Sequence, residues 1–516
     1  MEAVPTTPFL SPAAVAFPIC LKASMSRRDL RAALLVCLSL FAVAPAVAQA
    51  EVAYPAYSFT DSIGVNVHLA DPGTPYYNAS DLSRAMTQVN GPSGAAKVQM
   101  LLAALGVKHI RNDLCPTTRS AYCAKALALT RKLYADNGIK SLDAYYSTEK
   151  PSLTALPGHA EIDKELALAA DPANVNAIDG LEGTNEVDFK KLTDWAGKIS
   201  DQQAYVQQQI ATKYPQLAGK TLLNPSIASA AGANTLAAWK GSSVFPSWDS
   251  SPIGAVNAHA YFFRNTPEAA ISNPDGGCVK GQPNWLACSN EIAPGKPIWM
   301  TETGYTSAIN TTEGVSQVAQ GTYLLRDLLE NARLKAQTGQ GWDRTYIYEL
   351  LDSRSGLGCS PSLLCSFDRE SGFGLVKANY GVKPAYLDLQ RLMSVLGDPS
   401  KSTTAASLDL SVAPADQNTV RRLLFRQGDG SYVLALWRPV SVFTPSKVSW
   451  TGVSSGRDIP EGTAPNTTAD ATITLPSAMT ATVYRPGTSA APIDTQAAST
   501  THTVTVHGDV VLVKLK

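Results

Sequence analysis

The chain has 516 residues, of which 45% are hydrophobic and 17% charged, and its formal net charge is zero. That length suits one large barrel plus a smaller module. Zero net charge removes the electrostatic basis for binding nucleic acid or an anionic membrane surface, while eight Trp and nineteen Tyr can serve both cores and uncharged ligands.

In chain order, the first feature is an export signal. Arg27 and Arg28 precede an apolar stretch from Ala32 to about Ala44, and Ala48-Gln49-Ala50 offers a small-residue cleavage site. Met25 is the expected start, residues 1–50 are expected to be removed, and Glu51 is expected to begin the mature chain. Ser26-Arg27-Arg28-Asp29-Leu30 also resembles a twin-arginine signal. The apolar run is short for a membrane span, so a secreted or periplasmic protein without a stable membrane anchor is expected.

Eight short apolar runs then recur, predicted as strands at Ile63–His68, Val107–Asn112, Lys140–Tyr145, Ile178–Glu182, Lys220–Asn224, Ile253–His259, Pro297–Thr301 and Arg344–Leu350. Between them, segments such as 160–170, 193–213 and 314–336 carry helical periodicity. Eight β-then-α units predict a (β/α)8 TIM barrel over residues 51–398. An open doubly wound sheet is the rival, but no dinucleotide-binding glycine fingerprint follows the first strand. Pro384 to about Leu396 reads as a last helix. Beyond it, short alternating runs split by Gly, Pro, Ser and Thr predict an antiparallel β-sandwich over 399–516. The segment Val52–Phe59 is a further strand candidate for that module.

Six cysteines follow the signal, in three close pairs: Cys115 with Cys123, Cys278 with Cys288, and Cys359 with Cys365. Local disulfides need the least chain folding and suit an oxidising compartment. Zinc binding is the alternative, disfavoured by the absence of C-x2-C spacings and of His nearby in sequence. Trp285, between Cys278 and Cys288, is a candidate sugar platform.

A parallel barrel displays its chemistry at the C-terminal strand ends. There the sequence places Asn66, His68, Arg111, Asn112, Asp113, Asp143, Tyr145, Glu182, Asn185, Glu186, Asn224, Asn257, His259, Tyr261, Glu302, Tyr348, Glu349 and Asp352. Burying unpaired charge costs several kcal/mol, so these groups must form a network or face a wet cleft. Glu186, in Thr184-Asn185-Glu186, and Glu302, in Thr301-Glu302-Thr303-Gly304, form the pair of carboxylates that glycosidic bond cleavage requires. Glu182 is a rival for Glu186, better read as a satisfied buried partner.

The combination resembles clan A of the glycoside hydrolases, retaining enzymes on (β/α)8 barrels, with a layout similar to families 39, 5 and 30. The resemblance rests on Asn185-Glu186 at strand four, Glu302 at strand seven, Arg111 on strand two and His259-x-Tyr261 on strand six. It implies that Glu186 is the acid/base, Glu302 the nucleophile, and Asn185 a ligand of the sugar 2-hydroxyl. Arg111 and Tyr261 would hold Glu302, and His259 would support Glu186 or touch substrate. Asn66, His68 and Asn224 are further substrate-binding candidates. Strand eight departs from the pattern: where many relatives carry a Trp, Tyr348 or Glu349 would face the sugar. The expected activity is hydrolysis of β-linkages in a poly- or oligosaccharide. A non-catalytic carbohydrate-binding protein and a transglycosidase that remodels a surface glycan are the alternatives. No metal or organic cofactor is expected, since neither HExxH, a G-x-S-x-G elbow nor a Walker loop occurs.

Overall fold

Strands whose side chains are buried on both faces need cover on both, and the parallel runs of this chain have it. The computed structural model describes residues 49–70, 94–114, 121–145, 156, 158–186, 195–226, 253–271, 286–287, 295–308, 314–352, 372–444 and 468–516. After strand β1 (Gln49–Pro55) and the short helix α1 (Ala56–Asp61) come β2 (Ile63–Asn66), α2 (Gly94–Leu105), β3 (His109–Asp113), α3 (Ala121–Asn137), β4 (Lys140–Ala144) and α4 (His159–Ala170). There follow β5 (Ile178–Glu182), α5 (Trp195–Thr212), β6 (Thr221–Leu222), β7 (Val256–Tyr261), α6 (Pro267–Ile271), β8 (Ile298–Gly304), α7 (Gln317–Thr338), β9 (Arg344–Ile347) and α8 (Pro384–Leu396).

Strands β2 to β9 form one curled, eight-stranded sheet in the order β6-β5-β4-β3-β2-β9-β8-β7, with every pairing parallel. Its two ends meet at a single parallel bridge, Leu223 with Ala255, beside a 2.8 Å bond from the Gly254 N–H to the Leu222 carbonyl. All eight predicted strands occur, although the fifth is reduced to Thr221–Leu222 and the sixth runs from Val256 to Tyr261. Among the described residues, no helix is long and apolar enough to cross a membrane.

The C-terminal strands correct the predicted sandwich. They are β10 (Ala406–Ala413), β11 (Arg421–Arg426), β12 (Tyr432–Trp437), β13 (Ala469–Tyr484), β14 (Asp494–Val506) and β15 (Val511–Leu515). The row β10-β1-β11-β12-β15 is closed by β13, whose first half pairs with β10 and whose second half pairs with β15. The result is a six-stranded ring rather than two stacked sheets, with β14 lying outside on β13. Two predicted strands, 471–475 and 481–484, are one strand whose register shifts between Thr474 and Ala481, so Pro476 marks a bulge and not a turn. Strand β1 belongs to this ring rather than to the parallel sheet, and the expected cleavage after Ala50 falls inside it. The predicted strand 447–450, residues 1–48, Trp285 and every mature cysteine except Cys123 lie outside the described residues.

Alternation ties the two parts together. Along β11 and β12, Leu424, Leu434 and Leu436 fill the ring, whereas Leu423, Phe425, Val433, Ala435 and Trp437 join the core that also contains Leu325, Leu328, Leu329, Tyr386 and Leu389 of α7 and α8. Helix α7 is consequently buried along most of its length, starting at a Ser316 cap that accepts the Ala319 N–H and ending at Gly339, with φ +70. Arg326 of α7 is fully buried. It makes a two-pronged pair with Glu268 of α6 at 2.8 and 2.6 Å and donates to the carbonyls of Val440 and Gly508, while the Trp437 indole N–H also donates to Glu268. Removing the carboxylate strands a buried cation, so Glu268→Ala should cost about 3–5 kcal/mol. Urea unfolding should show this as a lower midpoint at constant slope; a loss below about 1 kcal/mol would contradict the assignment.

Candidate active site

Arg111 lies in the middle of β3 with its guanidinium turned into the cup formed by the curled sheet, and each of its N–H groups meets an acceptor. Nε and Nη2 donate to the two oxygens of Glu182 at 2.6 Å each, Nη1 to Glu302 Oε1 at 2.6 Å and to Asn66 Oδ1 at 2.9 Å, and Nη2 also to Asn185 Oδ1 at 2.8 Å. Five donors in a rigid fork thus fix four side chains from β2, β5, β8 and the turn after β5. Glu182 is completely buried, which bears out its reading as a paired structural carboxylate.

Glu302 lies on β8 at an irregularity. Ala258 pairs with Met300 but His259 pairs with Glu302, leaving Thr301 as an extra residue; the pairing with β9 shifts at the same place. The bulge lets consecutive residues Thr301 and Glu302 both contact the site, while Thr303 points away to bond Asp327 on α7 at 2.9 Å. Tyr261 donates to Glu302 Oε2 at 2.6 Å. Burial alone would raise the Glu302 pKa. His259, Arg111 and the Tyr261 hydroxyl outweigh it and hold the carboxyl below the usual carboxylate range.

Glu186 sits beyond β5 with φ +45, a left-handed conformation uncommon for a side chain of its type. Its N–H donates to Ser226 Oγ at 3.1 Å, and that hydroxyl donates onward to Asn185 Oδ1 at 2.8 Å. Gly183 lets the turn lie against the 225–226 backbone, since a Cβ there would be 2.6 Å from Pro225 Cγ. Glu186 Oε1 lies 2.8 Å from His259 Nδ1, and that nitrogen lies 3.5 Å from Glu302 Oε2. Oxygens of Glu186 and Glu302 and the ring nitrogen all lie within 4.8 Å of one another. The trio has a spacing that could hold a cation; the Arg111 guanidinium against Glu302 opposes a dication there.

Of the remaining candidates, two turn inward. Asn66 donates from its amide nitrogen to the carbonyls of Thr301 and Tyr346, accepts from Arg111 at its oxygen, and is 1% exposed. Asn224 is fully buried, donates to the Pro225 carbonyl and accepts the Asn257 N–H. Both brace the site from within through these bonds. His68 stands between Asp113 (3.9 Å) and Glu349 (3.5 Å), its ring edge-on to Tyr348. Burial pushes Asp143 up to about 7 against the Ser141 hydroxyl bond, with Asp113 adding to the rise. Half-buried Tyr348 packs edge-on against Tyr261 and Phe373, forming an aromatic wall beside Glu302; the peptide between Tyr348 and Glu349 is cis. Glu349 is fully buried behind that wall. Sequence reasoning missed Ser226, Thr301 and Phe373 as site residues. Only Thr301 carried a signal, its place beside Glu302.

No family model and no curated protein matches this chain. Solved structures do. A family 39 glycoside hydrolase from the gut symbiont Bacteroides cellulosilyticus WH2 is similar over 90% of this chain and 82% of its own, at 15% identity and a TM-score of 0.50. A β-1,3-glucanosyltransferase of glycoside hydrolase family 17 from Rhizomucor miehei overlaps 64% of this chain and 97% of its own, at 15% identity and a TM-score of 0.40. An endo-laminarinase from Formosa Hel1_33_131 overlaps 62% and 84%, at 14% identity and a TM-score of 0.37. The fold of this chain is similar to that of the family 39 glycoside hydrolase.

Proposed function

We propose that this protein is an exported, retaining glycoside hydrolase that cleaves β-linkages of a poly- or oligosaccharide, with Glu302 as nucleophile and Glu186 as acid/base. The observation that carries the reading is the approach of the two carboxylates within 4.8 Å in opposite settings. One is pinned by a guanidinium and a phenol; the other is bonded to an imidazole. Separations near 5 Å leave no space for water between carboxylate and anomeric carbon and so favour a covalent route. In it, Glu302 attacks the anomeric carbon while the departing oxygen keeps the bonding pair and takes a proton from Glu186. Water then gives its proton back to Glu186 and displaces the sugar from Glu302.

The lowered pKa of Glu302 keeps it ionised for attack. Tyr348, Tyr261 and Phe373 would line the sugar, His68 and Asn185 would meet its hydroxyls, and Glu349 would act from behind Tyr348. We take the curled sheet as a closed (β/α)8 catalytic barrel over residues 56–398, and 49–55 with 399–516 as an accessory ring. The mature cysteines fit local disulfides formed outside the cytoplasm.

Digestion of a glycan panel tests the assignment. Glu302→Gln should abolish cleavage of the glycan that the wild type degrades; equal cleavage by both would refute the nucleophile. Glu186→Ala should lose about 10²–10⁴-fold on substrates with poor leaving groups; on an aryl glycoside with a good leaving group, added azide should restore turnover and give a glycosyl azide of unchanged anomeric configuration by NMR. An inverted product would exclude the double displacement.

Arg111→Met supplies a second, pH-dependent check. Without the guanidinium, the Glu302 pKa should rise, moving the acidic limb of kcat/KM upward by about 1–3 pH units. The same change leaves Glu182 and Glu302 buried without their cation. It should cost about 3–5 kcal/mol at neutral pH, shrinking in acid as Glu302 protonates. An unmoved limb would show that Arg111 does not set the charge of Glu302.

A further inference from the structure

A chain of four side chains leads from a backbone carbonyl to the acid/base pair, and the direction of each hydrogen bond follows from the one before. The Asn224 carbonyl can only accept, so the group that Asn257 presents to it, at 3.1 Å, is its amide Nδ2. That orientation turns Asn257 Oδ1 toward Thr301, and an amide oxygen also only accepts. The Thr301 hydroxyl must therefore give its hydrogen to Asn257, which it meets at 2.5 Å. With its hydrogen committed, Thr301 Oγ1 faces His259 Nε2 at 3.0 Å as an acceptor, so Nε2 carries a hydrogen. A neutral ring with its hydrogen on Nε2 has a bare lone pair at Nδ1, directed at Glu186 Oε1 2.8 Å away.

We infer that Thr301, oriented by Asn257, fixes the tautomer of His259 and thereby keeps one transferable proton in the contact between His259 and Glu186. An ionised carboxylate facing a bare ring nitrogen at that distance would set lone pair against lone pair. The contact is favourable only when a proton lies in it, on the carboxyl or on the ring. This deepens the reading of Glu186 as acid/base and rests on it. In the first step the shared proton passes to the departing oxygen, and the pair is left with no hydrogen between its atoms. That repulsive state then draws the proton from the attacking water. Thr301 and Asn257 touch neither sugar nor the reacting atoms in this scheme; they are positioning residues acting through His259.

The charged groups facing the ring agree with a retained proton. Glu302 and Glu186 favour the protonated ring, whereas burial and Arg111 oppose it. Burial is the largest single influence, yet the balance lies above the ordinary histidine value. Tyr261 faces the ring only through the Glu302 carboxylate that it shares with Nδ1.

The test is the high-pH limb of kcat/KM. Thr301→Val removes the acceptor for the Nε2 hydrogen, so the neutral ring can place its hydrogen on Nδ1 and donate it to ionised Glu186. The pair then gives up its extra proton more readily, and the limb should move to lower pH by about one unit. Thr301→Ser retains the hydroxyl and should hold the limb where the wild type has it. A Thr301→Val limb that does not move, or a Thr301→Ser limb that moves as far, overturns the inference. Should the valine variant not fold, nitrogen NMR of the wild type with labelled histidine rings decides the same point. A neutral His259 protonated on Nε2 supports the inference, and one protonated on Nδ1 refutes it. Glu186→Ala separates the underlying assignment: if the limb persists without Glu186, the acid/base reading fails whichever way Thr301 behaves.

Discussion

One guanidinium organises the site. Arg111 is buried, and burial opposes its charge, yet two carboxylates hold it firmly cationic. Such a group is stable only if every N–H finds an acceptor, and here acceptors come from three strands and the turn that leads to Glu186. The geometry of Glu302 therefore depends on Glu182, which is fully buried, and on Asn66, whose amide in turn holds the β8 carbonyl at Thr301. Chemistry on one strand is made rigid by electrostatics on its neighbours. Removing any member leaves charge or a polar group unsatisfied in a dry interior.

The two glutamates differ in what surrounds them. Glu302 receives two short bonds from donors that favour its ionised form. Glu186 meets an imidazole whose other nitrogen is already committed. That asymmetry is what the proposed division between attack and proton transfer rests on. The β8 bulge allows it, because without an additional residue at Thr301 the threonine and the glutamate would point to opposite faces of the strand.

Much of this was legible in sequence because strand ends and residue order survive in one dimension. Arg111, Asn185, Glu186, His259, Tyr261 and Glu302 were identified as one group, and they converge. Depth was not legible. Asn66 and Asn224 share strand-end positions with the converging group, but whether an amide is spent on a backbone carbonyl depends on neighbours that sequence spacing does not reveal. The bulge was equally hidden, as Ile298-Trp299-Met300-Thr301-Glu302 reads simply as a short apolar run closed by polar residues. The ring was mistaken for a sandwich because Pro476 looks like a turn, and nothing local shows that β13 continues past it to join both ends of a row.

Strand β1 has a bearing on how the molecule is assembled. A chain delivered N-terminus first presents Gln49–Pro55 before β10 and β11, its partners beyond residue 405, have been made. Until those arrive, an apolar strand is left with open edges in the company of other unfinished chains. Glu51, which later pairs with Arg422, and Pro55, which offers no N–H, make it a poor template for strangers meanwhile. Closure of the ring must then wait for partners far along the chain, and pairing across so long a contour is intrinsically slow.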